Sequence, residues 1–295
     1  MHTAILKEAL SGNTKALARC ISFIENEVAG YEKMLETLKV SEVPVTGITG
    51  PPGAGKSTLT DQLIQLLIND NKRVAVLCID PSSPFNLGAL LGDRIRMSGW
   101  YNHPNVFIRS LATRGSLGGL HPKIIEISDT IKAAPFDYVI IETVGVGQSE
   151  IEIAGLADCT VVVVVPEAGD EIQTMKAGLM EIADVFVVNK ADRPDADMFV
   201  KNLRLMLAPA FNKTVHEVAI VKTIASQKQG IEELVEKIKK HLTYMGSNDK
   251  KYWLLAEKAY HLLQVKRMKG VSKKQLKEEI ENAIGFNLYS FVSAK

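Results

Sequence analysis

The sequence predicts an α/β fold with a mostly parallel sheet covered by helices on both faces. Two observations carry that prediction. Short β-branched apolar runs recur from Val45 onward, each separated from the next by a stretch of helical periodicity. Continuous runs of this kind suit strands buried on both sides, as parallel strands are. The first run also leads directly into Gly50-Pro-Pro-Gly-Ala-Gly-Lys-Ser57, a glycine-rich turn that opens a helical pattern. Ligands of such sheets bind at the carboxyl ends of the strands, where this turn falls.

The elements follow in order. Residues 1–38 read as two helices, broken at Ser11-Gly12, with Ile21, Ile24, Val28, Leu35 and Leu38 continuing one apolar face. The strands are VTGIT from Val45, VAVLCID from Val74, VFIRS from Val106, YVIIE from Tyr138, TVVVVV from Thr160, VFVVN from Val185 and VAIVK from Val218. Met245 to Asp249 reads as a short linker, and Lys250 to Lys269 as a helix. Ser272-x-x-Gln275 then resembles a capping box ahead of Leu276, Ile280, Ala283 and Ile284. The expected organisation is an N-terminal helical segment at 1–40, a nucleotide-binding domain at 41–244 and a C-terminal helical extension at 245–295.

Bulk properties exclude several classes. Thirty-five Lys and Arg against 34 Asp and Glu leave a formal net charge of +1, which gives no reason to expect a nucleic-acid or anionic-membrane partner. The longest apolar runs fall far short of a membrane span, and the first residues have neither a signal-peptide nor a transit pattern. A cytoplasmic location is therefore expected. Cys20, Cys78 and Cys159 are widely spaced and lie in apolar stretches, so buried structural thiols are expected.

Gly50 to Ser57 matches G-x-x-x-x-G-K-[ST] between a strand and a helix. In such a P-loop the backbone of Gly50, Pro51, Pro52, Gly53, Ala54 and Gly55 wraps an anion at the helix N-terminus. Lys56 reaches the outer phosphates, Ser57 can ligate Mg2+, and Thr58 continues the motif. Asn189-Lys190-Ala191-Asp192 follows a later strand. An aspartate there can accept from both ring N1–H and the 2-amino group of guanine while the lysine stem packs on the base. Adenine lacks both donors, so GTP is expected over ATP.

Asp80 and Glu142 end two strands, and Asp93 closes the loop that Asp80 opens. Carboxylates at neighbouring strand ends can share a magnesium ion or its waters. Lys56, Asp80 and Glu142 are thus the candidate catalytic residues, and Ser57, Asp80, Asp93 and Glu142 the candidate metal ligands. Gln148 is a candidate for orienting water or for capping the next helix. Positioning and charge neutralisation dominate phosphoryl transfer, so a base need not be conspicuous and slow intrinsic hydrolysis is expected.

Taken together, GPPGAGKST, IDPSSP with LGDR, RSLATRGSLGGL, ETVGVGQSE, PEAGDEIQTMKAG and NKAD resemble the MeaB/MMAA (ArgK-type) family of P-loop GTPases, over most of the chain. The resemblance implies a P-loop NTPase fold of the SIMIBI type. It also implies a chaperone that gates delivery of adenosylcobalamin from an adenosyltransferase to methylmalonyl-CoA mutase or a close relative, and that protects the mutase. GTP/GDP, Mg2+ and a homodimer are implied with it. By position, Asp80 and Asp93 fall in a first switch, Glu142, Gly145 and Gln148 in a second, and Asp170 and Lys176 in a third. Two positions depart from the family pattern: Glu167 stands where glycine is usual, and Ile224 where serine usually precedes Ala225, whose N–H is expected to reach the guanine carbonyl. Arg114 is a candidate for approaching phosphate or holding the switches.

Two other functions share the fold class. A nickel metallochaperone GTPase would need a His- or Cys-rich relay, and six scattered histidines with three separate cysteines supply none in the sequence. A P-loop kinase linked to amino-acid transport would need an acceptor base and a substrate pocket; the NKAD loop and switch-like segments point instead to a GTP-dependent switch.

Overall fold

A computed structural model describes residues 2–39, 41–80, 97–114, 119–145, 149–168, 177–211, 218–245, 250–283 and 285–295. Seven strands form one parallel sheet: β1 (Val45–Thr49), β2 (Val74–Asp80), β3 (Val106–Ala112), β4 (Tyr138–Glu142), β5 (Cys159–Val164), β6 (Val185–Asn189) and β7 (Ala219–Thr223). Their order across the sheet is β3-β2-β4-β1-β5-β6-β7. The strand expectations hold, with shifts of one residue at β5 and β7. β1 is flanked by β4 and β5, so whatever leaves its carboxyl end is bracketed by the loops that follow those two strands.

Period-two alternation separates the two sheet faces. Val161, Val163, Val185 and Val187 pack with Leu59, Leu63 and Leu67 of α4 (Lys56–Asn69) and with Leu234 and Ile238 of α9 (Ile231–Met245). Their neighbours Val162, Val164, Phe186 and Val188 face the other way, onto Leu179 of α7 (Ala177–Ile182) and onto Phe199, Leu203 and Leu207 of α8 (Ala196–Phe211). Each of these fully buried side chains contributes about 1.5–3 kcal/mol through removal of apolar surface from water. The valine run is therefore a central strand with apolar partners on both faces.

The N-terminal residues form three helices where two were expected: α1 (His2–Leu10), α2 (Thr14–Glu25) and α3 (Tyr31–Leu35). Asn13 caps α2 by accepting the Ala16 N–H at 3.1 Å. The second break comes from local backbone conformation: Glu27 and Gly30 both take positive φ, which no helix continues through. Between β3 and β4, α5 (Ile124–Ala133) covers the sheet, and the four-residue α6 (Ser149–Glu152) precedes β5.

The chain divides into two compact units, Met1–Lys251 and Tyr252–Lys295. The helices of the first 40 residues lie within the first unit. The C-terminal helices are α10 (Lys250–Arg267), α11 (Lys273–Glu281) and α12 (Leu288–Ser293). Ser272 takes the N-cap position of α11 but its hydroxyl makes no capping bond, so the capping box expected there is not formed. α12 is preceded by a capping asparagine: Asn287 accepts the Ser290 N–H at 3.0 Å. Among the described residues, no helix is long and apolar enough to cross a membrane.

Candidate functional site

The P-loop runs from β1 into α4, and Gly50, Gly53 and Gly55 all have positive φ. Two of them are also pressed against neighbours. A Cβ on Gly50 would fall 2.0 Å from the Val163 carbonyl oxygen, and one on Gly55 would fall 2.3 Å from Asn189 Nδ2. The loop is thus held between β5 and the end of β6, and glycine is required for close approach as well as for conformation.

Lys56 and Ser57 begin α4, and the amino-terminal end of a helix favours an anion through its dipole and its first-turn N–H groups. Lys56 Nζ donates to the carbonyls of Gly50 at 2.8 Å and Pro51 at 3.1 Å, so the ammonium group arches over the loop. Ser57 Oγ donates to Glu142 Oε1 at 2.5 Å, and Thr60 Oγ1 lies 2.9 Å from Glu142 Oε2. A hydroxyl that donates its proton in this way has an oxygen of the kind that can ligate a cation.

Glu142 and Asp80 are both buried, each about 3% exposed. Cys78 of β2 pairs with Glu142 of β4, which puts Asp80 two residues farther along the adjacent strand. A hydroxyl and two buried carboxylates at one sheet edge form a hard-oxygen set that fits Mg2+. Beneath them the hydroxyls of Thr49 and Thr143 bond at 2.9 Å and tie β1 to β4.

The segment after β4 returns against the P-loop at Gly145. Its φ is +83°, and a Cβ there would sit 2.3 Å from both the Gly50 carbonyl oxygen and Lys56 Nζ. The loop that begins with Glu142 therefore touches Lys56 at one end and the Ser57 hydroxyl at the other.

Asn189 closes the opposite side. Its Nδ2 donates to the Ala54 carbonyl at 2.8 Å, while its Oδ1 accepts from Thr223 Oγ1 at 3.0 Å and from the Ala225 N–H at 3.1 Å. The side chain is only 3% exposed and joins the P-loop to the loops after β6 and β7. Lys190 follows with φ +57°, and the Ala191 N–H bonds to the Thr223 carbonyl at 3.1 Å. That turn leaves the Asp192 carboxylate exposed. The Ala225 N–H, expected to face guanine, is donated to Asn189, so a base carbonyl would have to share it.

A model of the family described as methylmalonyl-CoA mutase-associated GTPase MeaB matches residues 17–280. The chain belongs to the MeaB family of P-loop GTPases. A Pyrococcus abyssi protein carrying the name GTPase is 41% identical over 289 residues, covering 96% of this chain and 84% of that one. The fused isobutyryl-CoA mutase of Geobacillus kaustophilus is 40% identical over 237 residues, which is 75% of this chain and 22% of that protein. Among solved structures, the LAO/AO transport system kinase matches with a TM-score of 0.67 and 27% identity, over 95% of this chain and 85% of that one.

In this MeaB-family chain, Gly50–Ser57, Glu142, Gly145, Asn189 and Ala225 come together around one loop, while Thr58 faces solvent. Asp93, Gln148, Asp170 and Lys176 lie outside the described residues. Glu167 is described: its carboxylate pairs with Arg193, immediately after Asp192, so the residue that departs from the family pattern ties the segment after β5 to the NKAD loop. Arg114 turns away from the phosphate site. It donates to the Glu25 carbonyl at 2.6 Å, at the carboxyl end of α2, where the helix dipole favours a cation. Arg109 pairs with the Glu25 carboxylate, so both arginines fasten β3 to the N-terminal helices.

Sequence reasoning missed Thr60 and Thr223. Thr60 lies three residues after Ser57 on the same helical face, a spacing that could have placed it beside Glu142. Thr223 carried no such signal, because its contact with Asn189 spans 34 residues.

Proposed function

We propose that this GTPase acts as a GTP-driven gate on a cobalamin-dependent acyl-CoA mutase, controlling adenosylcobalamin transfer from an adenosyltransferase and protecting the mutase. The observation that carries this reading is the fused relative. A stretch resembling most of this chain forms about a fifth of a protein named as a fused isobutyryl-CoA mutase, and this chain belongs to a family described as mutase-associated.

In this reading the P-loop amides and Lys56 bind the β- and γ-phosphates, and Asp192 reads guanine. Ser57 would ligate Mg2+, with Glu142 and Asp80 holding the ion or its waters. Bound Mg2+ supplies neutralisation of phosphate charge. Glu142 holds the Ser57 hydroxyl proton and so orients its lone pairs. Loss of the γ-phosphate changes the environment of Lys56, and Gly145 passes that change to the segment after β4 because the two are in contact. The segment after β5 is joined to the guanine loop by Glu167 and Arg193, which gives the nucleotide a second route to a partner surface.

The test is a GTP hydrolysis assay with and without a purified cobalamin-dependent acyl-CoA mutase. Stimulation by the mutase is expected. An unchanged rate across a panel of such mutases, or transfer of the γ-phosphate to an amino acid or transport protein, would overturn the proposal.

A further inference from the structure

We propose that Cys159, Asp184 and His241 bind a divalent transition-metal ion of the Zn2+ class at the amino-terminal edge of the sheet, the edge opposite the nucleotide. The three residues come from separate elements: Cys159 starts β5, Asp184 precedes β6, and His241 lies on the last two turns of α9. One donor atom from each lies within 4.8 Å of the others. His241 Nε2 and Asp184 Oδ1 are already 3.4 Å apart. Zinc bonds of about 2.0–2.3 Å in a tetrahedron separate donor atoms by roughly 3.2–3.8 Å, so closure around an ion needs shifts of about half an ångström per side chain.

The carboxylate is held in place independently of any ion. Asp184 Oδ2 accepts the Thr160 N–H at 2.9 Å, and the Asp184 N–H donates to the Thr160 carbonyl at 2.9 Å. Anchoring of a ligand by its free oxygen is how outer-shell bonds orient metal sites. Cys159 is fully buried and His241 is 7% exposed, a setting that strengthens ligation by keeping water away.

The donor set selects the ion. A thiolate with an imidazole and one carboxylate suits a borderline-soft cation, whereas Mg2+ and Ca2+ favour oxygen alone. Three protein ligands also leave a fourth position open, the arrangement of sites with an exchangeable ligand. Asp184 and His241 line a cavity of about 330 Å3 whose charged wall comprises Arg204, Lys237 and Lys240 with Glu233, so water or a small anion can complete the tetrahedron. On binding, the Cys159 thiol loses its proton to solvent and the sulfur lone pair forms the bond to the metal.

The experiment titrates the reduced, chelator-stripped full chain with Co2+. One equivalent is expected to produce a near-ultraviolet thiolate-to-cobalt band with the visible bands of a four-coordinate ion, and Zn2+ is expected to displace it. Cys159→Ser should remove the thiolate band, Asp184→Asn should weaken binding by more than the roughly 10-fold that loss of an outer-shell partner costs, and Cys20→Ser should leave the spectrum intact. GTP affinity and circular dichroism report whether each variant is folded; should Cys159→Ser fail there, His241→Gln decides by the same loss of affinity. Absence of the thiolate band in the unmodified chain, or its survival at full affinity in the folded variants, would reduce the cluster to an Asp184–His241 ion pair and overturn the proposal.

Discussion

Replacing Gly145 with alanine tests whether the loop after β4 is mechanically joined to Lys56 of the P-loop, the lysine proposed to hold phosphate. The added Cβ would lie 2.3 Å from the Gly50 carbonyl oxygen and 2.3 Å from Lys56 Nζ, about 1 Å inside ordinary contact with each. The carbonyl cannot retreat easily, because Gly50 itself has its α-carbon packed against the Val163 carbonyl. Lys56 must therefore move or the 142–145 segment must lift. The left-handed φ of +83° adds about 1–2 kcal/mol for any residue with a Cβ. A misplaced Lys56 forfeits a charge-assisted bond to phosphate, worth about 1.5–3 kcal/mol. GTP affinity should then fall roughly 10- to 100-fold, since about 1.4 kcal/mol is a factor of ten. Calorimetric titration with GTP measures this directly. Gly12→Ala is the control: its φ is +100° but its Cβ meets nothing closer than 3.4 Å and it lies far along the chain from the nucleotide loops. Affinity for GTP in Gly145→Ala within about twofold of the parent chain would refute the mechanical link.

Three further outcomes are expected. Asp192→Asn should weaken GTP by roughly 100-fold or more and favour xanthosine triphosphate, because the amide can donate where the carboxylate only accepts; nucleotide competition measures the switch. Asn189→Ala should strand the Ala54 carbonyl, the Thr223 hydroxyl and the Ala225 N–H, costing about 3 kcal/mol or more and lowering the melting temperature by roughly 6–12 °C in a thermal scan. His121 gives a pH signature: burial, then the nearby charges of Arg114, Lys123 and Arg109, lower its pKa from 6.5 to about 4. Between those values the unfolded chain binds the extra proton, so this contribution is complete above about pH 6.5 and is lost as pH falls towards 4, by about 3 kcal/mol in all. His121→Asn retains an acceptor for the Lys123 N–H and should flatten that part of the urea-midpoint profile between pH 4 and 7.

The strand runs, the P-loop and the NKAD turn were legible because each is a local pattern with a local physical cause: apolar continuity, glycine at an anion, a polar turn at a strand end. Local reading also failed in identifiable places. Residues 11–38 read as one long second helix because apolar spacing persists through Asn26–Gly30, whereas the backbone turns to positive φ there. Arg114 sat in a glycine-rich cationic stretch that suggested phosphate, yet its partner is a helix end 89 residues earlier. Asn189 reads from its motif as a nucleotide-binding residue, and the structure engages its amide with three protein partners, the Ala54 carbonyl, the Thr223 hydroxyl and the Ala225 N–H.

Sequence by itself determined the sheet, the phosphate loop and the class of nucleotide, since these depend on residues adjacent in the chain. Tertiary structure decided what those residues do to one another: that Glu142 holds Ser57, that Gly145 lies against Lys56, and that Glu167 pairs with Arg193. It also brought Cys159, Asp184 and His241 together from positions up to 82 residues apart. Such encounters follow from strand order and register, which place β4 and β5 on either side of β1, and no spacing along the chain encodes them.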